Sequence, residues 1–261
     1  MIKGLFITGT ATDIGKTYVT SRIIKELKQQ YHVGYYKAAL SGAEIVDGIM
    51  IPGDKENVSK YANLKETECK VSYLYKDAYA PHLAAKKTND PVELTVVEKD
   101  LHDLSKNHDI VVIEGSGGII CPLRDDDKQI MLTDVMKLAG YPLIIVTSSG
   151  LGSINSAVLT ALYAKSQGLE ILGFIMNYFE EDNFDEFADK LKEHDIEYVH
   201  SVVEHSWGQR VVRFYDPDKH IIEVGENMKI VCKRFLNSGM TPEQVAERMG
   251  VPMKFVNACM R

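Results

Sequence analysis

Four cysteines in 261 residues, none in a C-x-x-C pair, leave no disulfide framework and no zinc-binding spacing. Cys69, Cys121, Cys232 and Cys259 stand far apart, as reduced thiols of a cytoplasm do. An excess of basic residues is also missing. The net charge of −7 argues against an extended basic face and therefore against nucleic acid as a partner. No apolar run reaches the length needed to span a bilayer. Lys3 to Ile7 enters a strand with no charged-then-apolar leader ahead of it, so a cytoplasmic location without a membrane partner is the expectation. The hydrophobic share of 45% and the charged share of 26% suit a globular chain with ample core, either one large domain or one domain with an appendage.

The most informative stretch lies near the start. Lys3-Gly4-Leu5-Phe6-Ile7 is a short apolar run that predicts a buried strand. Gly9 to Gly15 predicts a loop, and Lys16-Thr17 opens an amphipathic helix that reaches Leu27. Strand, glycine-flanked loop, Gly-Lys-Thr and helix together make a phosphate-binding arrangement. The glycines let the backbone bend around an anion, the helix N-terminus offers free N–H groups, and the lysine adds a point charge. The Thr17 hydroxyl is suited to a magnesium ion that accompanies a nucleotide triphosphate. Five residues separate Gly9 from Gly15, where the common pattern has four, so this is a modified loop. An ordinary strand-to-helix turn is the bland alternative.

Further along, residues 32–37 predict a second strand, ending in a small-residue loop at 38–42. Ligands of parallel sheets sit at the carboxyl ends of strands, which is where Lys37 falls, although a solvated lysine is an equal reading. Asp54 opens a polar helix over 54–61 and serves either as an N-cap or as a magnesium ligand. Residues 81–87 and 90–104 predict connecting helices. Asp109-Ile-Val-Val-Ile-Glu114 is a continuous apolar strand delivering an acid to a glycine-rich turn, Gly115-Ser116-Gly117-Gly118. An acid beside a phosphate loop is a direct or indirect magnesium ligand, the alternative being a turn residue. Residues 141–147 and 169–176 predict two more strands, with a helix over 156–166 between them. Strands alternating with helices predict a doubly wound α/β fold with a mostly parallel sheet of the P-loop NTPase type.

These motifs together resemble the dethiobiotin synthetase family. The resemblance rests on Thr8-Gly9-Thr10-x-Thr12-Asp13-Ile14-Gly15-Lys16-Thr17, Tyr36-Lys37 with Ser41-Gly42, Asp54, Glu114-Gly-x-Gly-Gly with Pro122-Leu123, Leu151-Gly152-x-Ile154-Asn155 and Gly173-x-x-x-Asn177. It covers roughly residues 1–180. It implies ATP- and Mg2+-dependent closure of a cyclic urea on 7,8-diaminononanoate with carbon dioxide, through a phosphorylated carbamate. The catalytic residues it implies are Lys16, Lys37 and Thr12. Nucleotide contacts would come from Asp13, Ile14, Gly15, Lys16, Thr17, Tyr18, Asp54, Glu114, Gly115, Ser116, Gly117 and Asn177. Metal ligands would be Thr17, Asp54 and Glu114. Ser41 would meet the substrate, and Gly152, Ser153 and Asn155 would reach the substrate carboxylate of a second subunit, implying a homodimer. Two positions depart from the family pattern. Ala11 replaces an acid in the loop, and Ala38 replaces the proline after the lysine.

The last third departs further. Residues 185–192 predict a helix, residues 196–199 begin a strand, and Trp207 to Val224 form two alternating runs joined at Asp216-Pro217-Asp218-Lys219, a hairpin. This segment resembles the final hairpin of a glyoxalase/bleomycin-resistance (vicinal oxygen chelate) module, whose glutamate near the end of the last strand is a metal ligand. The chain holds only about half of one such module and its histidines lack metal-binding spacing, so a structural appendage or the trace of a gene fusion is expected here in preference to a metal site at Glu223. The expected organisation is therefore a synthetase-like domain over 1–182, a partial glyoxalase-like helix and hairpin over 183–227, and a helical tail over 228–261. The helix and strand after residue 183 are expected to dock at the edge of the main sheet. In the tail, Thr241 is a candidate N-cap with Pro242 at the first helical position and Gly250 closing the helix. Residues 228–261 carry six Lys/Arg against two Glu, yet a helical hairpin packing on the body is preferred over DNA binding. Two other classes compete with the ligase: a nucleotide-binding regulator with a deviant phosphate loop, and a metal-dependent glyoxalase-like protein built from the C-terminal part.

Overall fold

The computed structural model describes residues 3–179 and 181–260, and the chain divides into two compact units. The first comprises residues 1–146 and 155–172, and the second residues 147–154 and 173–261. The second unit holds both the hairpin segment and the helical tail.

In the first unit five strands lie parallel in the order β9 (Leu143–Ser148), β1 (Gly4–Gly9), β6 (Ile110–Glu114), β2 (Val33–Ser41), β5 (Cys69–Tyr75). Residues of β6 from Val111 to Glu114 are all buried, the pattern of a central parallel strand covered on both faces. Helix α1 (Lys16–Leu27) follows β1, and Gly15 precedes it with a left-handed backbone (φ 92°) that a side chain would strain. Helix α2 (Gly53–Ala62) packs on α1, and α3 (Pro81–Thr88), α4 (Leu94–Ser105), α5 (Leu132–Ala139) and α6 (Ser153–Ser166) complete the layers. Phe6, Tyr36, Val111, Ile113, Leu132, Met136 and Leu143 anchor the core. Two small antiparallel hairpins, β3–β4 (Glu44–Val46, Ile49–Ile51) and β7–β8 (Pro122–Asp125, Gln129–Met131), sit between these elements.

Two expectations change here. The small-residue loop at 38–42 is strand as far as Ser41, because β5 pairs with it at Ala39, Leu40 and Ser41. Ala38 is therefore a buried strand residue and not part of a turn. Helix α6 starts at Ser153, so Ser153 and Asn155 belong to its first turn and not to a loop.

In the second unit the strand order is β11 (Tyr198–Glu204), β12 (Arg210–Tyr215), β13 (Ile221–Glu226), β10 (Ile171–Phe179, from Gly173). β11–β12 and β12–β13 are antiparallel, while β13 runs parallel to β10. The expectation for residues 196–203 is corrected: β11 pairs with β12, and β13 is the strand that joins β10. Gly173 explains this, since any Cβ there would run into the Ile221 carbonyl. Helix α7 (Glu181–Lys192) packs Phe184 and Leu191 on Val212 and Val224. The tail forms α8 (Met228–Asn237), α9 (Pro242–Met249) and α10 (Met253–Cys259) around Val231, Phe235, Val245, Met249 and Val256. Thr241 caps α9 in a capping box with Gln244, and Gly250 closes the helix at φ 62°. No described helix is long and apolar enough to cross a membrane.

Candidate active site

The first unit gathers its charged groups where β1, β2 and β6 end and α1 and α2 begin. Lys37 is 3% exposed and Glu114 1%, which is unusual burial for charges unless they are paired. Lys37 Nζ donates to Glu114 Oε1 at 2.7 Å and to Asp54 Oδ2 at 2.6 Å. The Thr17 hydroxyl lies 2.8 Å from Glu114 Oε1 and 3.0 Å from Asp54 Oδ1. That hydroxyl has one proton for two carboxylates, so the oxygens crowd around it in an arrangement a cation would relieve. Asp54 sits in the first turn of α2 without capping it; its carboxylate turns to Thr17 and Lys37 instead. Lys16, also buried, donates to the Ala11 carbonyl at 2.8 Å and so lies folded against its own loop.

The electrostatics follow from this packing. Burial pushes the Lys16 ammonium below the ordinary lysine value, and the neighbouring charge of Lys37 adds to the effect. Burial also works against charged Lys37, but Glu114 and Asp54 outweigh it and hold that ammonium above the ordinary value. For Asp54, burial is outweighed by Lys37 and the carboxyl is held below its usual range. Lys37 is thus shared between two carboxylates, while Lys16 is held mainly by a carbonyl that an incoming anion can replace.

The glycine-rich turn closes on the phosphate loop. A Cβ on Gly118 would stand 3.5 Å from the Thr10 carbonyl, and one on Gly117 3.8 Å from the Thr12 hydroxyl. Gly117 has φ 62° as well. The Gly115 N–H donates to Ile7 O at 2.9 Å, and the Ser116 hydroxyl donates to Ala39 O at 2.5 Å. Asp13 takes a left-handed backbone at φ 56°, Ile14 is buried, and Thr12 is exposed. The Tyr18 ring lies under the Arg22 guanidinium at 4.5 Å. The Ser41 hydroxyl is buried with no hydrogen-bond partner among the described residues.

A protein-family model described as an AAA domain matches residues 3–212. A protein of Clostridium botulinum (strain Eklund 17B / Type B) named ATP-dependent dethiobiotin synthetase BioD is 47% identical over 186 residues, covering 70% of this chain and 82% of that protein. Its namesake from strain Alaska E43 / Type E3 is 44% identical over 185 residues with the same coverage. The chain belongs to the dethiobiotin synthetase family. Among solved structures, the septum site-determining protein MinD complexed with Mg-ADP from Pyrococcus horikoshii OT3 aligns at 18% identity, over 69% of this chain and 71% of that one, with a TM-score of 0.44.

Other expected site residues of this dethiobiotin synthetase relative come from α6, the turn before it and β10. Asn155 is exposed on α6 in the first unit. Gly152 (φ 88°), buried Ser153 and buried Asn177 belong to the second unit, where Ser149 N–H donates to Asn177 O at 2.9 Å. In the same unit Glu223 is ion-paired with Arg213 directly across the hairpin. His220 pairs with Asp216 at 3.0 Å, and His205 stacks on Trp207 at 4.3 Å. Neither contact involves Glu223.

Among the described residues no group of three or more His, Cys, Asp or Glu side chains could hold a metal. Thr17, Asp54 and Glu114 instead offer one hydroxyl and two carboxylates. That set of hard oxygens fits a magnesium ion, which keeps waters and takes its other ligands from phosphate. Two neighbours of this cluster escape motif reading. The Tyr35 hydroxyl donates to Glu114 Oε2 at 3.0 Å, and burial with the Glu114 charge pushes that phenol well above its ordinary value. Its signal was the two-residue spacing from Lys37, which places both on one face of β2. Burial likewise pushes the Cys121 thiol up to about 11, against the pull of Lys16 and Lys37.

Proposed function

We propose that this chain is a cytoplasmic ATP-dependent dethiobiotin synthetase, closing the cyclic urea of dethiobiotin on 7,8-diaminononanoate with carbon dioxide. What carries the proposal is Lys37, a buried ammonium held between Asp54 and Glu114 beside the Thr17 hydroxyl, with family membership behind it. One substrate amine adds to carbon dioxide and loses a proton, giving a carbamate. A carbamate oxygen attacks the γ-phosphorus of ATP and ADP leaves. The second amine then attacks the carbamoyl carbon and loses a proton, the C–O bond to phosphate breaks, and the ring closes with release of phosphate.

Phosphoryl transfer of this kind needs positioning and charge neutralisation more than covalent help. Lys16 leaves the Ala11 carbonyl for the β- and γ-phosphates, while the N–H groups from Asp13 to Tyr18 cradle them. Thr17, Asp54 and Glu114 would hold a magnesium ion, which would supply positive charge to the triphosphate oxygens. Lys37 faces the carbamate and the transferring phosphoryl group, and Thr12 hydrogen-bonds the carbamate. The Ser41 hydroxyl, which has no partner among the described residues, takes a substrate amine or carbamate. Gly115, Ser116 and Gly117 line the nucleotide side, and Asn177 reads the adenine edge.

A homodimer belongs to the proposal, with Gly152, Ser153 and Asn155 of one copy meeting the substrate carboxylate bound to the other. Its support is the row of exposed apolar side chains Ile154, Val158, Leu159 and Leu162 along α6. Helical spacing sets them on one side, and a stripe of that kind is seldom left in water.

The test is direct. Purified protein is given diaminononanoate, bicarbonate, ATP and Mg2+, with dethiobiotin measured by mass spectrometry and phosphate by colorimetry. Dethiobiotin and phosphate should appear in equal amounts. ATP hydrolysis indifferent to the diamine would replace the ligase with a nucleotide-binding regulator.

A further inference from the structure

A buried carboxylate must have its lone pairs met by donors, and its position depends on which oxygen each donor takes. Thr17 and Lys37 both bond Glu114 through Oε1. Two donors on one oxygen leave the group free to swing about that atom, and the terminal torsion of a glutamate is broad. Oε2 is held by one donor among the described residues, the Tyr35 hydroxyl at 3.0 Å. Tyr35 is wholly buried, and its ring is fixed in β2 two residues before Lys37. When Lys37 turns toward an incoming anion, Glu114 loses that bond, and the phenol is left opposite Thr17 to keep the carboxylate in place.

We infer that Tyr35 is a positioning residue of the phosphoryl-transfer site: its hydroxyl pins Glu114 Oε2 and so presents Oε1 to the Thr17 side, where the divalent cation is taken up. This rests on the role proposed above for Glu114 as a cation ligand. No family motif marks the position, since Tyr35 precedes the Tyr36-Lys37 pair and reaches the site only through the pleat of the strand.

The experiment uses full-length Tyr35→Phe, which keeps the ring and removes the donor. A fluorescent ATP analogue reports binding while Mg2+ is titrated, and the same analogue is titrated in EDTA. The Mg2+ concentration at half-saturation should rise about ten-fold, the effect of losing a hydrogen bond to a charged group. Affinity in EDTA should stay within about two-fold. In ring closure, kcat should fall while KM for the diamine holds. Glu114→Gln removes the charge that the phenol serves, so adding Tyr35→Phe in that background should change neither titration. That double variant also keeps the comparison readable if the single variant folds poorly.

An unmoved Mg2+ titration overturns the inference. So does equal weakening with and without Mg2+ alongside a lowered unfolding temperature, which marks a merely structural tyrosine. A further loss in the double variant beyond Glu114→Gln overturns it as well. If no dethiobiotin forms, the proposed function falls while the Mg2+ titration still tests Tyr35; if the ring closes and the titration does not move, this inference falls alone.

Discussion

Among the described residues each unit buries one glutamate almost completely, Glu114 at 1% exposure in the first and Glu226 at 0% in the second. Their partners differ in kind. Glu226 accepts from Arg210 Nη2 at 2.9 Å and Nε at 3.1 Å, from the Arg210 backbone N–H at 3.2 Å, and from Arg234 Nη2 at 3.1 Å. Guanidinium forks are planar, always charged and geometrically fixed, so this carboxylate is locked. Arg210 also reaches Asp185 and Arg234 reaches Glu204, which tie α7 and β11 into the same network. Glu114 is held by one lysine, one threonine and one tyrosine, and both the lysine and the threonine are shared with half-buried Asp54. A lysine and a hydroxyl can turn to another anion or a cation without leaving rigid forks unpaired. On the proposed function, equal burial serves stability in one unit and exchangeable binding in the other.

The sharpest way to break this contrast is at the lysines. Lys16→Ala should lower ring-closure turnover by about a thousand-fold, the scale of removing one charge-stabilising donor from a transition state, and should weaken nucleotide binding too. Lys37→Ala should lower kcat by about a hundred-fold while nucleotide affinity stays within a few-fold. Equal loss of nucleotide affinity in both variants would undo the division of roles between them. Glu226→Gln tests the other side. It puts an amide donor against guanidinium donors and should cost about 2–3 kcal/mol of stability, below the full value for a deeply buried pair because both arginines are partly exposed. Denaturant unfolding should show that loss while nucleotide affinity is unchanged. A fall in nucleotide affinity without one in stability would reverse the assignment.

Much of the first unit was legible from local signals. The apolar run before Gly9 and the periodic run after Gly15 place β1 and α1, and the helix bounds match the expected 16–27. Lys37, Asp54, Glu114 and Thr17 come together because each lies in a strand or at a helix start that the sequence marks. What stayed hidden depends on partners distant in sequence. β2 continues past Lys37 because β5, some thirty residues later in register, pairs with it. Tyr35 works through Glu114, 79 positions away. The strand beside β10 is chosen by the close approach at Gly173, which no periodicity encodes. The Arg210–Glu226–Arg234 network spans spacings of 16 and 8 across a hairpin and a helix start, and fits no motif. Helix caps sit at the legible extreme, since their whole signal lies within four residues.

The smallest expected effect comes from such a cap. The Thr241 hydroxyl accepts from Gln244 N–H at 3.3 Å, and the Gln244 side chain accepts from Thr241 N–H at 2.9 Å. Both groups are exposed, so water replaces them at little cost, and Thr241→Ala should lower stability by about 1 kcal/mol. Helix α9 contributes Val245 and Met249 to the buried core of the tail, so the loss should appear first as faster hydrogen exchange in residues 242–249. It should leave the Mg2+-dependent nucleotide affinity untouched. If the cap variant weakened that affinity as much as Lys16→Ala, the tail would have to act on the phosphate loop directly, and the separation of a stabilising network from an exchangeable one would no longer describe the two buried glutamates.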